Sequence, residues 1–147
     1  ASDIERLGDY AVLIVKETND MSQNNIKFLD ETKEELQEIY ELIGKIFDLG
    51  FDAFVNRQTE NFPKIARTHK KIKKKISASR DAHVNRLSSG RYPVEASKAI
   101  YQALFSLQRI SDHLVNIAYS IRSTTGSKKE AMQAVKNEQK QEDRRVS

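Results

Sequence analysis

Glu5 and Asp9 stand four residues apart. In a helix that spacing puts both carboxylates on one side, where they could hold a hard cation through oxygen, with water completing the shell. A second acid, Asp112, occupies the same place in a related stretch further along. Ile4 to Ile14 and Leu107 to Ile117 align at a constant offset, with Arg6/Arg109, Asp9/Asp112, Val12/Val115 and Ile14/Ile117 identical. The alternative use of these acids is helix–helix ion pairing with Arg6, Arg109 or nearby lysines. A second chemistry is cationic. Lys70-Lys71-Ile72-Lys73-Lys74-Lys75-Ile76 puts Lys70, Lys71, Lys73, Lys74 and Lys75 on the outer side of an amphipathic helix. They form either a plain solvated face or a contact for an anionic surface, at about 1 kcal/mol per lysine near anionic lipid. His69 and His83 lie some 21 Å apart along one helix, at about 1.5 Å per residue, so they cannot share a metal. They read as satisfied, partly buried groups. His113, beside Asp112, is the better ligand by position.

The elements that position these residues are helices. Few breakers (5 Gly and 2 Pro in 147 residues) and 31% charged residues favour long helical segments. Four periodic stretches appear. Residues 3–18 repeat Ile4, Leu7, Ala11, Ile14 and Val15 on one face. Asn19-Asp20-Met21-Ser22 reads as a turn, with Asp20 or Ser22 as the next cap. Residues 23–57 carry the stripe Leu29, Leu36, Tyr40, Ile43, Phe47, Gly50, Phe54, and Gly44 and Gly50 suggest either close approach of a neighbouring helix or a break near Leu49–Phe51. Residues 59–88, entered through Thr59 and Pro63, carry Ile65, His69, Ile72, Ile76, Ser79, His83 and Leu87. Gly90 is the expected left-handed residue after them. Residues 93–122 follow Pro93 with Ile100, Leu104, Leu107, Ser111, Leu114, Ala118 and Ile121, closed by Thr124-Thr125-Gly126-Ser127. Short connections place successive helices antiparallel. The expected fold is an all-α, up-down four-helix bundle over residues 1–122, with 123–147 a polar tail, frayed or disordered.

Composition excludes several classes of function. With no cysteine there are no disulfides, thiolate metal sites or cysteine nucleophiles. The longest apolar run, residues 10–15, is far below the roughly 20 residues of a membrane span. No secretory signal is visible, so the sequence reads as soluble and intracellular. No glycine-rich phosphate loop, His-Glu-x-x-His motif or nucleophile–base set is present, so no enzyme is expected. The net charge of +4 hides an asymmetry: residues 1–60 carry 6 Lys and Arg against 14 Asp and Glu, and residues 61–147 carry 19 against 7. The halves can attract each other within one fold, or the basic half can meet an anionic partner. The basic stretch lacks interleaved aromatics and any known docking motif, so nucleic acid is not an expected partner.

Glu5-Arg6-Leu7-Gly8-Asp9, and Arg109-Ile110-Ser111-Asp112-His113 with Asn116-Ile117, resemble the signature of PhoU-type helical domains. His83-Val84-Asn85-Arg86-Leu87-Ser88-Ser89-Gly90 resembles a turn in the PhoU-like tails of sodium/phosphate cotransporter family proteins. The signature positions here are Arg6, Arg109, His113, Asn116, His83 and Arg86. The resemblance implies an all-helical fold of three-helix repeats, with the first helix closing an earlier repeat of a longer protein. It implies a regulatory role in phosphate uptake, as the cytoplasmic domain of a cotransporter-like protein at the inner face of the membrane. The rival implication is a free-standing accessory protein of a phosphate-specific importer. Expected partners are the transporter region of the same protein, an anionic lipid surface and a second copy of the chain. Some members bind metal through acids of the signature helices, which makes Glu5, Asp9 and Asp112 candidate ligands for a divalent or iron cation. Two departures argue that such a site is partial or lost. Gln108 stands where Glu5 has its counterpart, and Lys73 stands where related third helices carry an acid.

Overall fold

The first helix, α1 (Asp3–Gln23), begins with a capping box: the Glu5 amide donates to Ser2 Oγ and the Ser2 amide to the Glu5 carboxylate. The computed structural model describes residues 2–25 and 27–146; within the helices, the side chains of Asp3, Ile4, Arg6, Leu7, Tyr10, Ile14, Glu17, Thr18, Met21, residues 124–131 and Val146 lie outside that description. The turn expected at residues 19–22 stays helical. The chain leaves the helix at Asn24 and Asn25 instead. Asn24 donates backbone and side-chain N–H groups to the Asp20 carbonyl, and Asn25 takes the left-handed conformation at φ 55°. Asparagine tolerates that conformation better than most residues, so Asn24-Asn25 was the stop signal.

Helix α2 (Asp30–Val55) starts later than residue 23, and neither Asp20 nor Ser22 caps it. Its N-cap is Leu29, with Asp30 and Glu31 in the first turn where the helix dipole favours anions. Its buried face is Ile39, Ile43, Ile46 and Ala53. The expected stripe is thus rotated: Tyr40, Phe47 and Phe54 are 58–65% exposed, and Phe51 beside them is 60% exposed. The isoleucine row fills the contact with α3 and α4, and the aromatic row is left facing outward. Gly44 and Gly50 admit no neighbour, since a Cβ added at either would meet nothing within 4 Å.

Helix α3 (Asn61–Ser88) follows a turn with Arg57 at φ 55°. Its N-cap is Glu60, one residue beyond Thr59, and no side chain caps it. The buried Asn61 takes over the joint, donating to the Leu49 carbonyl (3.3 Å) and Asp52 Oδ2 (2.9 Å). Its core stripe is the expected one: Ile65, Ile72, Ile76, Ser79 and His83 are buried, and His69 and Leu87 are half-buried. Gly90 at φ 74° closes a Schellman motif, with Gly90 N–H on Leu87 O (3.1 Å) and Arg91 N–H on Arg86 O (2.9 Å).

Helix α4 (Val94–Val146) buries Ile100, Leu104, Leu107, Ser111, Val115 and Ala118, then runs on past the expected stop near residue 124. No proline follows Pro93, a single glycine costs only about 1 kcal/mol, and the Lys, Glu, Gln and Ala of the extension are strong helix formers. Its described residues beyond Met132 are exposed.

Hence the protein is an all-α bundle, with no strand among the described residues. Helices α2, α3 and α4 all pack on one another around one isoleucine-rich core. Among the described residues, α1 packs only on α4. No described helix is long and apolar enough to cross a membrane.

Candidate functional site

One end of the bundle gathers the start of α2, the end of α3 and the start of α4 around Arg86. The Arg86 guanidinium has a side chain only 11% exposed. It pairs with both carboxylate oxygens of Glu35, reaches Glu31 Oε2 at 3.2 Å and donates to Thr32 Oγ1 at 3.2 Å. Glu31 also takes Arg91, at 2.9 Å. The buried Tyr92 hydroxyl donates to Thr32 Oγ1 (2.7 Å) and accepts the Leu29 amide (2.5 Å), the N-cap of α2. That bond satisfies a helix-start donor that no side chain of α2 caps. His83 lies behind this layer, 1% exposed, with Nε2 3.1 Å from Ser97 Oγ on α4. Its ring packs against Tyr92 and Tyr101, at centroid distances of 5.3 and 5.1 Å.

The electrostatics follow from this geometry. The hydrogen bonds of Glu35 hold the Arg86 pKa above its ordinary value, and those of Arg91 hold Glu31 below the usual carboxylate range. Burial, helped by the nearby Arg86 charge, pushes His83 down. His83, Arg86 and Gly90, singled out in the sequence, therefore meet in one assembly. Their partners Glu31, Thr32, Glu35, Tyr92 and Ser97 were missed. The signal for the acids was present: Glu31 and Glu35 are one turn apart at the start of α2 and lie opposite the end of an antiparallel α3.

The signature acids are not brought together. Glu5 is exposed and engaged with Ser2, and Asp9 is exposed on α1. Asp112 lies 2.7 Å from His69 Nε2, bridging α4 and α3. Their helices are placed differently too, since α4 is central and α1 flanks it. Among the described residues no group of three or more His, Cys, Asp or Glu converges. Among the described residues, Glu5, Asp9 and Asp112 therefore do not converge into one donor set. Of the other signature positions, Asn116 is exposed, His113 is buried on α4, and Arg109 lies over the Phe105 ring at 5.8 Å. The Arg6 side chain lies outside the described residues. Four of the five clustered lysines, Lys70, Lys71, Lys73 and Lys74, are exposed. Lys75 is half-buried and paired with Glu38, which lowers the Glu38 pKa.

Comparison with known proteins assigns residues 36–121 to the PhoU domain. That range takes in most of α2, all of α3 and the core-forming part of α4, with every buried core residue from Ile39 to Ala118. No curated protein matches, and no solved structure does. The match spans more than half of the 147 residues and includes the His83–Arg86–Gly90 turn, and on that ground the chain belongs to the PhoU domain family.

Proposed function

We propose that this chain is a regulatory interaction domain of a sodium/phosphate cotransporter-like membrane protein, acting in the cytoplasm at the inner face of the membrane. The PhoU domain points to a regulatory, non-enzymatic part in phosphate transport. The observation that carries the cotransporter reading is the turn His83-x-x-Arg86-Leu87-x-x-Gly90, which folds as a single polar joint tying three helices together. A rigid joint at one end lets a binding event move the three helices as a body. The transporter region is the proposed partner, with a second copy of the chain as a further one. The exposed Lys70, Lys71, Lys73 and Lys74 suit contact with anionic headgroups beneath it.

The test is phosphate uptake by cells that lack the gene and by cells restored with its full reading frame. The expected result is that restoration returns phosphate-dependent control of the sodium-dependent fraction. Control returning only to a sodium-independent, ATP-driven fraction would favour the accessory-protein reading. Uptake unaffected in both fractions would refute both.

A further inference from the structure

We propose that the cleft between α2 and α3 lined by Lys45, Lys64, Arg67 and Lys71 binds an anion carrying two or more phosphoryl groups, taken from solution as a short condensed phosphate. The cleft measures about 240 Å³, and its remaining lining is Leu42 and Thr68. It lies on the outer side of the α2–α3 seam, away from the Arg86 joint.

The charge arrangement is the reason. Lys64, Arg67 and Lys71 follow one another at spacings of three and four on α3, so three cations stack on one face of one helix. Like charges at those spacings destabilise a helix. Lys45 adds a fourth cation from α2. Protein carboxylates compensate them only in part: Glu38 feels Lys71 and Asp52 feels Lys64 through space, but neither acid forms a direct ion pair with these cations. Among the described residues, Lys45, Arg67 and Lys71 form no salt bridge, and Lys64 reaches only the Asn61 amide oxygen, at 3.5 Å. The acids of the adjoining α2 surface make their direct hydrogen bonds to groups outside the cleft. Glu38 pairs with Lys75, Glu41 accepts from Gln37 at 3.1 Å, and Asp52 accepts from Asn56 and Asn61 at 2.6 and 2.9 Å. Asp48 is exposed on the same helix and does not line the cleft.

A concave site with several cations and no carboxylate paired directly with them is suited to a compact polyanion. The planar fork of Arg67 matches two oxygens of one phosphoryl group, while the lysines act as point charges on its neighbours. Phosphoryl oxygens are offered both by soluble condensed phosphates and by lipid headgroups. The cleft spans two helices and is walled by both, which favours the small soluble ligand over a flat surface. The choice of phosphate among anions rests on the proposed role in phosphate uptake; the cation cluster does not.

The experiment is calorimetric titration of the chain with tripolyphosphate, with citrate as a carboxylate comparator and phosphatidic-acid vesicles as the lipid arm. Tripolyphosphate is expected to bind in a salt-sensitive way. Arg67→Gln and Lys71→Gln are each expected to weaken it by about tenfold or more, the scale of losing one charged hydrogen-bond partner. Lys140→Gln, on the exposed end of α4, is expected to change nothing. Equal weakening by Lys140→Gln, an Arg67→Gln variant that binds as tightly as the parent, or citrate binding as well as tripolyphosphate would each overturn the site. Vesicle binding lost in Arg67→Gln without any tripolyphosphate binding would overturn the soluble ligand and assign the cleft to lipid. Intact cleft binding alongside phosphate uptake that ignores the protein would refute the regulatory role alone.

Discussion

Arg86 and Arg67 lie on the same helix and serve opposite ends. Arg86 is enclosed by Glu31, Glu35 and Thr32, with its charge and hydrogen bonds spent inside the bundle. Arg67 is exposed and forms no ion pair among the described residues. An internally compensated cation stabilises the assembly and is hidden from solutes. An uncompensated one adds little to stability and keeps its field for a ligand. Substitutions at the first region should therefore register in unfolding and those at the second in binding.

The largest effect is expected for Arg86→Ala. It strips Glu35 of a two-oxygen partner and leaves Thr32 and the partly covered acids facing each other. A loss of about 3 kcal/mol in urea unfolding is expected, since breaking a covered, hydrogen-bonded ion pair costs more than such a pair contributes net. Combining it with Glu35→Gln should recover part of the loss. Strict additivity would show that the two side chains are not coupled.

Tyr92→Phe comes next. The ring still packs on His83, but the Leu29 amide and Thr32 hydroxyl lose their common partner. Destabilisation of about 1–2 kcal/mol is expected, the cost of a buried donor left unmade. Amide exchange should quicken first at the start of α2. Uniform quickening along the chain would mean that Tyr92 does not anchor that end.

These residues also show where the sequence could be read. The stripe of α3 was legible because its isoleucines recur at helical spacing with lysines between them, and only one face could be buried. Gly90 was legible because few other residues take a left-handed stop. The face of α2 was not. Apolar residues surround much of that helix, and periodicity alone cannot choose between the isoleucine row and the aromatic row. Partner geometry made that choice. The signature acids were legible as a repeated pattern, but their roles were not, because a local spacing does not show that Asp112 meets His69 across a helix boundary. The Arg86 joint combines both cases. Its α3 half is a compact motif, while Glu31, Glu35 and Tyr92 are joined to it only by folding.

His83 gives a smaller, pH-dependent effect. In the unfolded chain it takes a proton near pH 6.5, and in the bundle burial delays protonation to lower pH. Protonation therefore favours unfolding. The stability linked to neutral His83 is complete above pH 6.5 and is lost as the pH falls through the lowered folded value. Glu31, Glu38 and Asp52 have lowered values too, so they act in the same direction, but only once the pH nears the ordinary carboxylate range. Unfolding measured between about pH 7.5 and 5.5 should slope downward, and His83→Gln should flatten that slope even if it lowers stability throughout. An unchanged slope in the variant would move the titration to another group.

The smallest stability effect is expected for Arg67→Gln, and it sharpens the comparison most. Removing an exposed cation with no ion pair should shift unfolding by no more than about 0.5 kcal/mol. The sign should favour the variant slightly at low salt, because one member of a like-charged row is gone, and the gain should fade as salt screens the row. A saturating condensed phosphate should reverse the order. The parent then gains stability through binding and the variant gains less. If Arg67→Gln instead destabilised the chain as much as Arg86→Ala does, the two arginines would be alike in role, and the cleft would be part of the framework rather than a place for a ligand.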